Sequence, residues 1–169
     1  MTFLELAAAR WTCRSYDSRP VEQEKIDAVL EAARLAPTAK NFQPQRIWVL
    51  RSEDAMERIR RVTPCIYGAP VAFIVGYSAD EAFTRDDGKC FGEIDATIAL
   101  THLLLEAHEQ GLGGTWIGWY DAALLRELFP EIEGYVDISL AAIGYPAVDA
   151  EPADLHRLSK SIDEFVTEL

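Results

Sequence analysis

Hydrophobic and polar positions follow two periods along this chain, and the change from one to the other marks its elements. Residues 2–9 carry a short helical pattern. Between 21 and 36, Ile26, Val29, Leu30, Ala33 and Leu35 recur near the helical repeat, with Pro20 at the entry and Pro37 as the stop. Residues 45–50 read as a strand and 54–61 as a short charged helix. Residues 70–77 are apolar and β-rich, the pattern of a buried strand, and 81–89 form a polar loop. Residues 91–110 hold the longest helical pattern, apolar on most sides, which predicts a central helix with neighbours all round. Gly111 stops it. A strand running into a loop is predicted over 113–120, a short helix over 122–129, a second buried strand over 136–145, and a final helix from Ser161. Helices and strands mix without a regular βαβ repeat. The expectation is an α+β fold, a small mixed or antiparallel sheet packed against helices that include the long apolar one.

Composition narrows the functional classes. At 169 residues and 49% hydrophobic, with no repeat or low-complexity linker, residues 1–169 read as one domain. The net charge of −12 opposes nucleic-acid phosphates and anionic lipid surfaces, so neither is an expected partner. No apolar run reaches the roughly 18 residues that span a bilayer. The N-terminus lacks the basic and long apolar regions of a signal peptide, so a cytoplasmic protein is expected. Cys13, Cys65 and Cys90 are odd in number and far apart, which predicts neither a disulfide framework nor a metal site. Several apolar faces exceed what a lone monomer buries, which predicts a dimer.

Four segments carry candidate chemistry. In RWTCRSY, residues 10–16, Arg10, Thr12, Arg14 and Ser15 gather two guanidinium groups and two hydroxyls. Guanidinium forks match phosphate oxygens, so the cluster suits an anion; a solvated turn with surface arginines is the plainer alternative. In the loop 36–50, Pro37 and Pro44 stiffen the chain while Thr38, Asn41 and Gln43 offer groups that read the polar edge of a heterocycle. The same amides can instead bond their own backbone. In GLGGTWIGWYD, residues 111–121, glycines admit a close backbone approach, and Trp116, Trp119 and Tyr120 can wall a pocket or fill a core. This is not a dinucleotide fingerprint, because no acidic residue follows at the required distance. The strand end AAIGYP, 141–146, is followed by Arg157 and Lys160, which either close on the same anion or sit as surface charges.

In this order the four segments resemble the nitroreductase family of FMN-dependent enzymes. The matching motifs are R-x-[ST]-x-[RK] at Arg10, Thr12 and Arg14, A-P-[ST]-x-x-N-x-Q-P from Ala36 to Pro44, G-L-G at 111–113 with a W-I-G after it, and I-G-Y-P at 143–146 with a basic residue beyond. The resemblance covers nearly the whole chain. It implies an intertwined homodimer with FMN at the subunit interface. It implies that Arg10, Trp11, Thr12 and Arg14 hold the phosphate and ribityl chain, aided by Arg157 or Lys160. Pro37, Thr38, Ala39, Asn41 and Gln43 then lie along the cofactor, some from the partner, and the backbone of Gly113, Gly114 and Thr115 faces the flavin edge near N5. Little chain is left beyond the last strand to wrap a partner.

The implied activity is transfer of a hydride from NADH or NADPH through flavin N5 to a small organic acceptor, a nitroaromatic or a quinone, in a ping-pong cycle. No side chain is required as acid or base. The alternatives are an FMN sensor, carrier or store without turnover, a flavin enzyme of the same fold with other chemistry such as dehydrogenation or dehalogenation, and an apolar interaction domain with no cofactor.

Overall fold

A computed structural model describes all residues 1–169. Strands β1 (Gln45–Leu50), β2 (Val71–Tyr77), β3 (Gly113–Ile117) and β4 (Val136–Gly144) form one antiparallel sheet in the order β1-β2-β4-β3. The two strands that are apolar on both faces, β2 and β4, take the two inner places. Their side chains alternate between two cores. Val71, Phe73, Val75, Ala141 and Ile143 join one, and Ala72, Ile74, Leu140 and Ala142 join the other.

The first core is closed by α2 (Gln23–Leu35) and α4 (Gly92–Glu109), the second by α3 (Glu53–Val62) and α5 (Ala122–Leu128). The sheet is thus covered on both faces, and α4 is the long apolar helix. It buries Ala96, Ala99, Leu100, Leu103 and Ala107 against the sheet and α2. It ends in a Schellman turn. Gly111 adopts φ +75°, its N–H bonds the His108 carbonyl at 2.9 Å, and the Leu112 N–H bonds the Ala107 carbonyl at 2.8 Å. This turn redirects the chain into β3 along the sheet edge.

Before the sheet, α1 (Phe3–Ala9) is held at its start by a capping box between Thr2 and Glu5 and buries no side chain. After β4 the chain departs from expectation. Residues beyond Gly144 form an arm with one 3₁₀ turn (Asp154–Arg157) and the single-turn helix α6 (Ile162–Phe165), and the arm buries no residue. Leu155, Leu158, Ile162 and Phe165 are each at least 65% exposed.

Candidate functional site

Three stretches meet at the C-terminal half of α4. Arg10 caps α1, its backbone N–H bonding the Leu6 carbonyl at 3.0 Å. The chain then runs beside the free edge of β3, where Thr12 bridges Gly114 in parallel and the Cys13 N–H bonds the Gly114 carbonyl at 3.1 Å. This approach requires glycine. A Cβ on Gly113 would lie 2.6 Å from the Cys13 Cβ, and one on Gly114 would lie 2.8 Å from Leu104 Cδ2. The Thr115 hydroxyl donates to the Cys13 carbonyl. The Tyr16 hydroxyl shares a hydrogen bond with the Thr115 hydroxyl at 2.7 Å and lies 3.3 Å from the Ala142 carbonyl oxygen. Burial, only partly offset by this Thr115 bond, pushes the Tyr16 phenol above its ordinary range. The N-terminal turn is thereby locked to the glycine-rich strand, as the sequence motifs require for one shared site.

Arg10, Thr12 and Arg14 line a hollow of about 530 Å³ with Ala153, Leu155 and His156 from the arm. Arg10 and Thr12 also line a second hollow of about 260 Å³, walled by Thr101, Leu104, Leu105 and Trp116. The two hollows adjoin at Arg10 and Thr12 and are taken together as the groove, the first adding the Arg14 guanidinium and the second mostly apolar walls. The ion pairs engage Arg34, Arg46, Arg58, Arg85 and Arg126, so neither Arg10 nor Arg14 has a carboxylate partner. His108, in the last turn of α4, is held below the ordinary histidine range by burial and by the positive charge of Arg10 and His156, with Glu109 opposing. Arg14 stands beside the Tyr67 phenol, whose backbone is left-handed at φ +53°.

The other expected residues fall as follows. Trp11 is half-buried beside Arg10. Gly113, Gly114 and Thr115 are all buried, and the open surface of this segment comes later, at Trp116, Gly118 and Trp119. Their contacts pull the arginine turn against the sheet edge rather than leave a free backbone face. The 37–43 loop sits at the opposite end of α4. Asp95, 2% exposed, accepts the Ala39 N–H at 2.9 Å. Thr38 accepts the Gln43 N–H at 3.1 Å, and the Gln43 amide bonds the Asn41 carbonyl at 3.2 Å. Lys40, Asn41 and Gln43 all have positive φ, at 51°, 58° and 54°. Side chains in that region cost about 1–3 kcal/mol each, strain of the kind that gathers at ligand sites. Pro37, Asn41 and Gln43 are exposed, and no residue of the loop lines either hollow. From Asp95 to Thr101, the nearest α4 residue in the lining, the helix axis rises about 9 Å. Arg157 and Lys160 also lie outside the lining, where His156 takes the arm's place. Sequence reasoning passed over His156 because the motif asks for a lysine or arginine. It also missed the Tyr16–Thr115 bond, which joins residues 99 apart in sequence.

A sheet covered on both faces, a central helix capped by glycine, and a groove with a cationic end along that helix define a class of layered α+β proteins with a cofactor-sized cleft. Within that class the chain belongs to the nitroreductase family, whose model matches residues 7–63 and 63–145. A nitroreductase family protein from Clostridium difficile 630 is 35% identical and superimposes with a TM-score of 0.91 over 99% of this chain and 98% of that one. A relative from Methanothermobacter thermautotrophicus, whose name pairs NADH dehydrogenase with NAD(P)H nitroreductase, is 35% identical over 92% of this chain and 83% of its own length. A Desulfovibrio desulfuricans protein solved in complex with FMN, 23% identical, shares the fold with a TM-score of 0.80 over 98% of this chain and 95% of that one. No helix is long and apolar enough to cross a membrane.

Proposed function

We propose that this chain is an FMN-dependent NAD(P)H oxidoreductase that binds FMN in the groove along α4 and passes reducing equivalents to a small organic acceptor such as a nitroaromatic or a quinone. The observation that carries the reading is that Arg10, Thr12 and Arg14 line one hollow together, next to a second that shares Arg10 and Thr12 and is walled by Leu104, Leu105 and Trp116. The donor set suits FMN. Forked donors and the Thr12 hydroxyl answer phosphate oxygens, while Leu104, Leu105 and Trp116 give a flat apolar ring surfaces to lie on.

When bound, FMN supplies the redox chemistry, taking electrons from NADH or NADPH and giving them to an acceptor in alternating half-reactions. The chain's own part is binding and tuning. Arg10, Thr12 and Arg14 anchor the phosphate and lend positive charge to a site that gains negative charge on reduction. Trp116 excludes water from one side of the groove.

The 37–43 loop lines neither hollow of its own chain, and we assign it to the groove of a second copy, for which the exposed apolar arm offers a surface. A homodimer with composite sites is therefore part of the proposal.

The purified protein is expected to be yellow, to bleach with NADH or NADPH, and to recover its colour when a nitroaromatic or quinone is added. A colourless protein that takes up no added FMN would overturn the reading. Bleaching without reoxidation by any acceptor would reduce it to a flavin-binding module.

A further inference from the structure

We propose that His156, carried on the C-terminal arm, is a ligand of the cofactor phosphate and makes the grip on FMN depend on pH near neutrality. The inference rests on FMN binding as proposed above. It starts from the lining of the larger hollow. Two cations there, Arg10 and Arg14, are permanently charged, and the third basic side chain is an imidazole. The lysine and arginine nearby on the arm, Lys160 and Arg157, do not line it.

The charges around His156 come from three elements. Arg10 and Arg14 stand on the N-terminal turn, His108 and Glu109 close α4, and Asp154 and Arg157 share the 3₁₀ turn that carries His156. A phosphate dianion at contact distance favours the protonated imidazole, because opposite charge stabilises the charged form. Binding FMN therefore takes up a proton at His156. The sign follows. Binding is tight where the imidazole is protonated and weakens as pH rises through its titration in the complex. His108 has no such part. Burial and Arg10 lower its proton affinity, and it does not line the hollow. The phosphate's own second ionisation, near pH 6, acts in the opposite direction, so the range above it isolates the protein's contribution.

The test dilutes the yellow holoprotein between pH 6.5 and 8.5 and reads released FMN by its recovered fluorescence. The FMN dissociation constant is expected to rise about tenfold over that range, the equivalent of one unit of proton-affinity shift. His156→Gln should bind weakly with no pH slope, His156→Lys should bind tightly with no slope, and His108→Gln should keep the wild-type slope. Riboflavin, which lacks the phosphate, should show no slope with any variant. A slope that survives in His156→Gln overturns the inference, as does tight, pH-independent FMN binding by the wild type, and both leave the proposed function standing. Failure to bind FMN at any pH overturns both.

Discussion

Arg10 and Arg14 reach the same hollow from positions four apart in an extended turn, and in the proposed site they hold the cofactor phosphate. A charge-assisted hydrogen bond contributes about 1.5–3 kcal/mol, so Arg10→Ala should weaken FMN binding by roughly ten- to a hundred-fold while leaving riboflavin binding nearly unchanged. Arg10→Lys should recover only part of the loss, because an ammonium offers no fork. Titration of the flavin-stripped protein with each ligand checks both. Tyr16 makes a different demand. Its hydroxyl bonds Thr115 inside the turn, and burial raises its proton affinity. A phenol whose folded value lies above the unfolded one, near 10, contributes stability that is present below pH 10 and is lost as the pH climbs beyond it. Tyr16→Phe should therefore cost about 1 kcal/mol at pH 7 and show a shallower decline in melting temperature above pH 10 than the wild type. A decline of unchanged slope would assign the alkaline loss to other groups, such as Tyr120, which burial and Asp137 also push upward.

Among the elements, the contact between the arginine turn and β3 is one that a single methyl group breaks. Gly113→Ala drives a Cβ to 2.6 Å from the Cys13 Cβ and 2.8 Å from its Sγ, and Cys13 sits between Thr12 and Arg14, so relief requires the turn to move away. Gly114→Ala meets the far end of Leu104 at 2.8 Å, which a rotamer change relieves. Overpacking costs about 1–3 kcal/mol in either case, yet only Gly113→Ala should lower FMN occupancy out of proportion to its melting temperature. Absorbance per protomer against thermal stability for the two variants separates these effects. The same elements show what the sequence discloses. The double-faced apolar runs of β2 and β4, the all-round apolar α4 and the glycine after it specify inner strands, a central helix and its stop, because each is a local pattern with one burial solution. Boundaries fell within two residues for the same reason. What stayed hidden depends on distant partners. Gly113, Gly114 and Thr115 read as an open glycine segment, and only the approach of residues 12–16 buries them. The 37–43 loop read as lying along the cofactor, some of it from the partner, and only the Asp95 anchor shows that in its own chain it stands at the other end of α4.

At the scale of the molecule, the two halves of the proposed site lie at opposite ends of one helix, and an arm with exposed Leu155, Leu158, Ile162 and Phe165 leaves the body uncovered. Both features point to two-fold pairing, in which the same patch serves on both copies and each groove borrows the other copy's loop. That arrangement predicts complementation. A turn variant, Arg10→Ala with Arg14→Ala, should lose FMN, and so should a loop variant, Thr38→Ala with Asn41→Ala and Gln43→Ala. Co-expressed with different tags and purified through both, the mixed dimer has one groove that carries both defects and one that carries neither. It should hold about one FMN per dimer, where the wild type holds two. If each groove instead drew turn and loop from the same chain, every groove in the mixed dimer would carry one defect and the preparation would stay colourless. In the proposed pairing the exposed arm covers the partner, so removing residues 150–169 should dissociate the dimer and release FMN together, which analytical ultracentrifugation at both flavin and protein wavelengths reads in one experiment.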